Sequence, residues 1–358
     1  MDHAVLGTAV VQGAVRADRN TKRLLRNIAR GEIALICHTD LDEPAAEGLL
    51  RAGVKAVVNA GRTMTGTFPH KGPLSLIRGR IPIFEIGESR FDEAADAEHV
   101  AIGAGRLVGR HADIPCAPFG YKDWERLNRA AERNFRHTLW GFAENTLKRA
   151  EQELETLFRP LSLPELRKPI RSNEVLIVAR GSGYKDDLTA LRPYIADARP
   201  VLIGVDGGAD ALTEQGYRPD LIIGDMDSVS DETLRCGAQL LVHAYVDGRA
   251  PGLERVRSLG LYSDIVAAPG TSEDIAMRLA YEREAARIVI VGSHSHPVDF
   301  LEKGRAGMAS TLLVRMLVGH KLVDAKGASL WLRRKHALRT LALPALAEGG
   351  ALRWNPYR

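Results

Sequence analysis

The sequence predicts an α/β protein: a doubly wound, mostly parallel sheet, a smaller N-terminal α/β domain, and a long helix linking the two. Three observations predict this. From Val175 onward, short apolar runs alternate with amphipathic stretches, as in parallel strands covered by crossover helices. Residues 121–158 place apolar side chains every three to five positions among charged ones, which is a helical period. Between Gly31 and Phe84, apolar runs at Ile33–Cys37, Val54–Asn59 and Ile81–Phe84 flank one amphipathic stretch, Glu43–Leu50, the mark of a small α/β unit.

The bulk properties bound the answer. A chain of 358 residues exceeds one ordinary domain, so two are expected. Its 45% hydrophobic and 26% charged composition is that of a folded globular protein. The net charge of +4 is dispersed among acids, so no nucleic-acid partner is expected. Cys37, Cys116 and Cys236 form no CxxC pair, which argues against a zinc knuckle or disulfide frame. No window reaches the length of a membrane span, and the N-terminus lacks a secretory layout. A cytoplasmic location is expected.

Taken in order, residues 1–30 form a polar, Arg-rich segment with a short helix at Thr21–Arg26. Residues 31–115 form the small domain. Its Gly61–Gly72 loop is rich in Gly, Thr and basic residues, and the lone His70 within it reads as a surface residue. Residues 121–160 form the long helix, ~57 Å at 1.5 Å per residue, with Gly141 a place to bend. Two readings stand: a helix packed against its own chain, or a dimerisation helix. The irregular spacing, short of a strict heptad, favours the first. Pro160, Pro164 and Pro169 then punctuate a linker.

In the domain at 170–328, strands are expected at Val175–Ala179, Val201–Val205, Leu221–Ile223, Leu240–His243, Ile265–Ala267, Arg287–Val291 and Leu322–Ala325. Helices are expected at Lys185–Tyr194, Ala209–Gly216, Gly252–Leu259, Ser272–Glu284 and Ala306–Leu317. A tail at 329–358 contains the basic cluster Arg333–His336, read either as a solvated last helix or as a segment lying beside a membrane.

Sheets of this kind bind ligands at the carboxyl ends of their strands, and the chemistry-bearing residues fall there. Asp206 follows one strand in GVDGGAD (204–210), and Asp225 and Asp227 follow the next in GDMDS (224–228). Acids crowded on one edge are costly unless a cation neutralises them. Magnesium, which takes a few carboxylates plus phosphate oxygens, is the natural candidate. Asp206, Asp225 and Asp227 are the expected metal ligands, with Asp274 either a fourth acid of the site or a helix-dipole residue.

Phosphate contacts are expected from Arg180, Gly181, Ser182, Gly183 and Lys185 after the first strand and from Gly207 and Gly208 after the second. Glycines let backbone N–H groups approach an anion, although turn geometry alone explains them equally well. Ser228 caps the next helix or donates to phosphate. Thr271, Ser272 and His294 lie on further loops of the same edge. Lys303 and Arg305 either contact phosphate from the opposite side or form a solvated turn.

Three resemblances follow from these residues. The layout of residues 31–90 resembles the swivelling phosphohistidine domains of phosphoenolpyruvate-utilising enzymes, where a histidine follows a glycine-rich loop as His70 does here. GVDGGAD and PDLIIGDMDS (219–228) resemble the catalytic domain of thiamin pyrophosphokinases. That likeness implies magnesium and ATP held by these aspartates, with diphosphate passing to the thiamin hydroxyl and AMP leaving.

Most of residues 20–330 resembles a narrower group, the bacterial cytokinetic ring protein SteA family. RAPG (249–252), GTSED (270–274), DFLEKGRAGMAS (299–310) and VDAKG (323–327) carry this likeness. It implies a role in septum formation beside a membrane-bound partner at the inner face of the membrane, and a homodimer. Two departures from the kinases are expected to matter. GSHSHP (292–297) stands where they carry Gly-Arg-x-Asp-His, and fewer than 40 residues follow Val323, short of a thiamin-binding β-domain of about 100 residues.

Overall fold

The alternating apolar runs do become strands, in two sheets. A computed structural model describes residues 11–332, and the chain divides into two units. The first holds residues up to Glu151 together with Ser295–Ala309; the second holds Gln152–His294 together with the residues from Ser310 onward.

The first unit is built on strands β1 (Val11–Ala17), β2 (Ile33–Ile36), β3 (Ala56–Asn59), β4 (Ile83–Glu85), β5 (His99–Gly103), β6 (Arg106–Gly109), β7 (Asp113–Pro115) and β8 (Ala117–Phe119). They form one mixed sheet in the order β7-β6-β5-β1-β2-β3-β4-β8. β1 to β4 run parallel; β5 pairs antiparallel with β1, and β8 with β4. Residues 11–17, expected in a polar lead-in, are therefore an interior strand. β1 (VQGAVRA) is held by ladders on both edges and contributes Val11 to the core.

Asn59 closes the carboxyl end of β3. Its Oδ1 accepts from the His38 and Gly61 amides at 2.9 and 3.0 Å, and its Nδ2 donates to the His38 carbonyl at 2.8 Å. His70, expected at the surface, is buried at 4% exposure with its ring against Phe68. The helix Tyr121–Phe158 runs 38 residues and passes through Gly141 unbroken. Within the first unit, Ala131, Phe142, Thr146 and Ala150 mark its buried face. The returning segment Ser295–Ala309 packs there. Phe300 meets Phe142 at 6.3 Å between ring centroids, and the Met308 amide donates to Thr146 Oγ1 at 3.1 Å.

The second unit contains β9 (Glu174–Val178), β10 (Val201–Val205), β11 (Leu221–Gly224), β12 (Gln239–Ala244), β13 (Asp264–Ala267), β14 (Arg287–Val291) and β15 (Leu322–Asp324). Their order is β13-β12-β11-β10-β9-β14-β15, and every pairing is parallel. This is the doubly wound sheet expected from the sequence. Leu176 and Val178 pack with Leu188, Ile195 and Leu212, so Val175 and Ile177 point to the opposite face. The helix Ser272–Glu282 lies against β9, β10, β11 and β14.

The expected helix 185–194 is instead two, Tyr184–Ala190 and Arg192–Ala198. Pro193 lacks the N–H that a continuous helix requires. From β9 the chain winds outward to β13, then returns on the other side as β14 and β15. The switch point therefore lies between β9 and β14, and the carboxyl edge is where ligands settle in such sheets.

Candidate functional site

Five loops leave the carboxyl ends of β9, β10, β11, β13 and β14, and three of them interlock. Asp206, just past β10, adopts a left-handed backbone with φ of 48°. A non-glycine residue there costs roughly 1–2 kcal/mol, and the surrounding contacts hold it. Its amide donates to Ile223 O at 2.9 Å and its carbonyl accepts from Ala209 N at 3.0 Å. The half-buried carboxylate lies over Gly224, where a Cβ would stand 1.8 Å from Asp206 Oδ1. Glycine at 224 is thus required by the acid beside it.

Arg180, at the end of β9, is exposed and lays its guanidinium over Gly207, where a Cβ would meet Nη1 at 2.5 Å. The Gly207 amide donates to Ser228 Oγ at 3.0 Å, which ties the β10 and β11 loops together. Ser228 therefore does not cap the next helix, and its hydroxyl, accepting here, keeps its O–H as a donor. Ser230 is the cap, accepting from Thr233 N at 3.2 Å. Gly208 is needed for packing, since a Cβ would fall 1.9 Å from Val178 O.

In the β11 loop Met226 is also left-handed, with φ of 61°, and is fully buried. That inward turn throws its neighbours outward, so Asp225 and Asp227 are both exposed. Asp225 Oδ1 accepts from the Asp227 amide at 3.0 Å. Among the described residues no group of three His, Cys, Asp or Glu side chains is placed to hold a metal ion. Asp206, Asp225 and Asp227 share an edge without forming a closed cage. The set still suits magnesium arriving with phosphate, because that ion needs only one or two carboxylates beside phosphate oxygens and water.

Asp274 is removed from this exposed group. It is fully buried, and its Oδ2 accepts from Thr271 N at 2.9 Å, Ser310 Oγ at 2.9 Å and Thr311 Oγ1 at 3.0 Å. It forms a reciprocal capping box with Thr271 at the start of its helix. Burial pushes its carboxyl above the usual range, opposed by those three hydrogen bonds.

Several expected phosphate ligands are likewise occupied. Lys185 is ion-paired with Glu214. His294 is held by Glu273, whose Oε2 accepts the His294 amide at 3.0 Å and whose Oε1 meets the ring. Ser272 Oγ lies 3.3 Å from His243 Nδ1, and Thr271 is the cap just described. Gly181 serves loop packing: its amide donates to Gly292 O at 2.8 Å and a Cβ would come within 2.5 Å of that oxygen. Ser182 and Gly183 are exposed. Lys303 and Arg305 belong to the first unit, with their amides bonded to Phe300 O at 3.1 and 2.9 Å. Arg333–His336 lie outside the described residues.

Arg255 went unnoticed in the sequence. It reaches the β11 loop from the helix Pro251–Ser258, donating to Met226 O, to Val229 O at 2.6 Å and to Asp231 Oδ1 at 2.6 Å. Next to it, a Cβ at Gly252 would stand 2.1 Å from Asp225 O. The only sequence signal was an arginine one turn beyond a Pro-Gly pair, which has no chemistry until the fold brings the loop to it.

Comparison with known proteins agrees on the region. Residues 193–245 match the family described as thiamin pyrophosphokinase, catalytic domain, a span that includes Asp206, Asp225 and Asp227. No curated protein matches the chain. Among solved structures, the thiamine pyrophosphokinase of Bacillus subtilis aligns at 21% identity and a TM-score of 0.27. The alignment covers 43% of this chain and 59% of that protein, so the chain spans less than two thirds of the relative's length. The second unit is an α/β domain with a thiamin pyrophosphokinase catalytic-domain match at its carboxyl-edge acids.

Proposed function

We propose that the second unit binds a magnesium nucleotide, ATP in the first instance, or another diphosphate-bearing ligand at this edge. One observation carries the reading. An exposed arginine, Arg180, lies across the glycine backbone of Gly207 beside the left-handed Asp206, with Asp225 and Asp227 open on the next loop. A cation facing hard, accessible carboxylates suits a phosphate accompanied by magnesium. Arg180 would meet phosphate oxygens, while Asp206, Asp225 and Asp227 would face the ion, whose role is to neutralise phosphate charge. The match over residues 193–245 supports the ligand class.

The wider role we propose is in bacterial cell division, at the septum, following the resemblance to the SteA group carried by the motifs at 249–252, 270–274, 299–310 and 323–327. No helix among the described residues is long and apolar enough to cross a membrane. On this reading the protein works in the cytoplasm at the inner face of the membrane, through a membrane-bound partner. A second reading, a working diphosphotransferase with thiamin as acceptor, draws on the same family match. Against it, the loop after β14 is Gly-Ser-His-Ser-His-Pro, and its His294 is already held by Glu273.

Calorimetric titration with ATP, ADP and GTP, with and without magnesium, tests the proposal. Metal-dependent binding is expected. Arg180→Ala should weaken it by about tenfold or more, the worth of one charge-assisted hydrogen bond, and the Asp225→Asn/Asp227→Asn double variant should remove its metal dependence. Absence of binding by every nucleotide, or variants that bind as wild type does, would defeat it. Release of AMP on adding thiamin would transfer support to the second reading.

A further inference from the structure

The carboxyl edge of the first unit's sheet holds a cavity of about 210 Å³ that the nucleotide site proposed above, in the second unit, does not use. Its walls come from the loop after β3, the last residue of β4, the strand β8 and the first turns of the helix Tyr121–Phe158. This is the end of a parallel sheet at which ligands settle. The volume lies below the roughly 300–1,000 Å³ of drug-sized sites, so the guest must be small.

Local contacts hold the walls in place. Gly61 turns the chain against the end of β2, since a Cβ there would stand 2.8 Å from the His38 carbonyl carbon. The Asp40 amide donates to Arg62 O at 2.9 Å. Farther along the loop, Asn134 Nδ2 donates to Gly66 O at 3.2 Å and Thr138 Oγ1 to Thr67 O at 3.0 Å, which stitches it to the helix. Met64 and Phe119, 2% and 6% exposed, make an apolar wall with the half-buried Leu127.

Charge of both signs lines the same space. Arg62 is exposed, and among the described residues its guanidinium makes no ion pair or hydrogen bond. Glu85 is half-buried; its Oε1 accepts from the Thr63 amide at 2.6 Å, and no hydrogen bond among the described residues engages its Oε2. Arg62 and Glu85 thus share a cavity without neutralising one another. Arg126 lies 3.5 Å from Asp123 Oδ1, and Asp123 Oδ2 accepts from Gly120 N at 3.1 Å, so that pair is satisfied at the rim. One cation, one carboxylate and an apolar wall are left for a guest.

We propose that this cavity binds a free α-amino acid with an apolar side chain. Its carboxylate meets Arg62, its ammonium meets Glu85, and its side chain lies against Met64, Phe119 and Leu127. A purely anionic guest would bring its charge beside Glu85, and a purely cationic one beside Arg62. An uncharged apolar guest would desolvate both groups and pair neither. A zwitterion answers both charges at once. The inference is independent of the nucleotide reading, since every residue it uses belongs to the first unit.

Calorimetric titration of the full chain with L-leucine, L-methionine and L-phenylalanine tests it. At least one should bind with a Kd of about 1 mM or tighter. The amide and the N-acetyl derivative of that amino acid, each short of one charge, should bind about tenfold or more weakly. Glycine, which lacks the apolar side chain, should lose about tenfold or more as well. Arg62→Ala and Glu85→Gln should each weaken binding by about tenfold or more. Both should keep the wild-type circular dichroism spectrum, because Arg62 is exposed and a glutamine oxygen still accepts from the Thr63 amide. Location is read from isotope-labelled methionine methyl groups: the bound amino acid should shift the Met64 signal and leave that of Met226, in the second unit, unmoved. No binding by any of the three up to about 10 mM, derivatives or glycine that bind as well as the parent, variants that bind as wild type does, or a shift at Met226 without one at Met64 would overturn the proposal.

Discussion

Glu302 sits on the returning segment of the first unit, and its carboxyl is pushed up to about 8 from 4.5. Burial is the main cause, followed by the carboxylates of Asp42, Glu43 and Asp299, with Lys303 opposing. The native state therefore holds this proton where the unfolded chain has released it. Its contribution to stability is complete below about pH 4.5 and is lost as the pH rises towards about 8.

At about 1.4 kcal/mol per pH unit, the whole interval would amount to roughly 5 kcal/mol. Glu302 is only half-buried, and solvent screening reduces such terms, so we expect about 2 kcal/mol. Glu302→Gln keeps the shape of the protonated acid and never ionises. Thermal melts of both proteins should coincide near pH 4.5, and by pH 8 the variant should lead by roughly 4–8 °C for a unit of this size. A gap that stays constant from pH 5 to 8, or that closes as pH rises, would refute the reasoning.

Three further outcomes are expected. Asp274→Ala removes a cap and leaves the Thr271 amide and the Ser310 and Thr311 hydroxyls without their acceptor, costing about 2–4 kcal/mol in a denaturant titration. A loss below about 0.5 kcal/mol would show that those donors find other partners. Asn59→Ala should lower the stability of the first unit by about 3 kcal/mol, because it empties both ends of the bridge to His38 and Gly61; denaturant melts check it. Gly252→Ala forces a methyl towards Asp225 O, 2.1 Å away. It should abolish magnesium-nucleotide binding in calorimetry while far-ultraviolet circular dichroism stays near wild type; full binding by this variant would show that the β11 loop is free to shift.

The second unit was legible because its strands are apolar on both faces and its helices amphipathic. Val201–Val205 and Arg287–Val291 fall where the periodicity puts them. The helix 121–158 was readable for the same reason, its period persisting through Gly141. β5 to β8 were not, being only three to five residues each; β5, β6 and β7 join through short hairpins, but the pairings of β5 with β1 and of β8 with β4 are non-local and leave no mark in a short window.

At the candidate site the glycine-bracketed aspartates announced the edge. What the sequence could not say was which carboxylates face water. Met226 turning inward exposes Asp225 and Asp227, whereas three donors from two segments bury Asp274. The pairing of Lys185 with Glu214, 29 residues apart, was equally out of reach.

Because Ser295–Ala309 belongs with the residues before Glu151, the N-terminal unit is incomplete for most of the time the chain is being synthesised. Phe142 waits for a neighbour encoded more than 150 residues later, Phe300, while β9 to β14 are synthesised in the interval. Fragments cut near residue 151 would expose that apolar seat on one piece and strand Phe300 on the other, so the two halves should aggregate when made separately and recover when produced together.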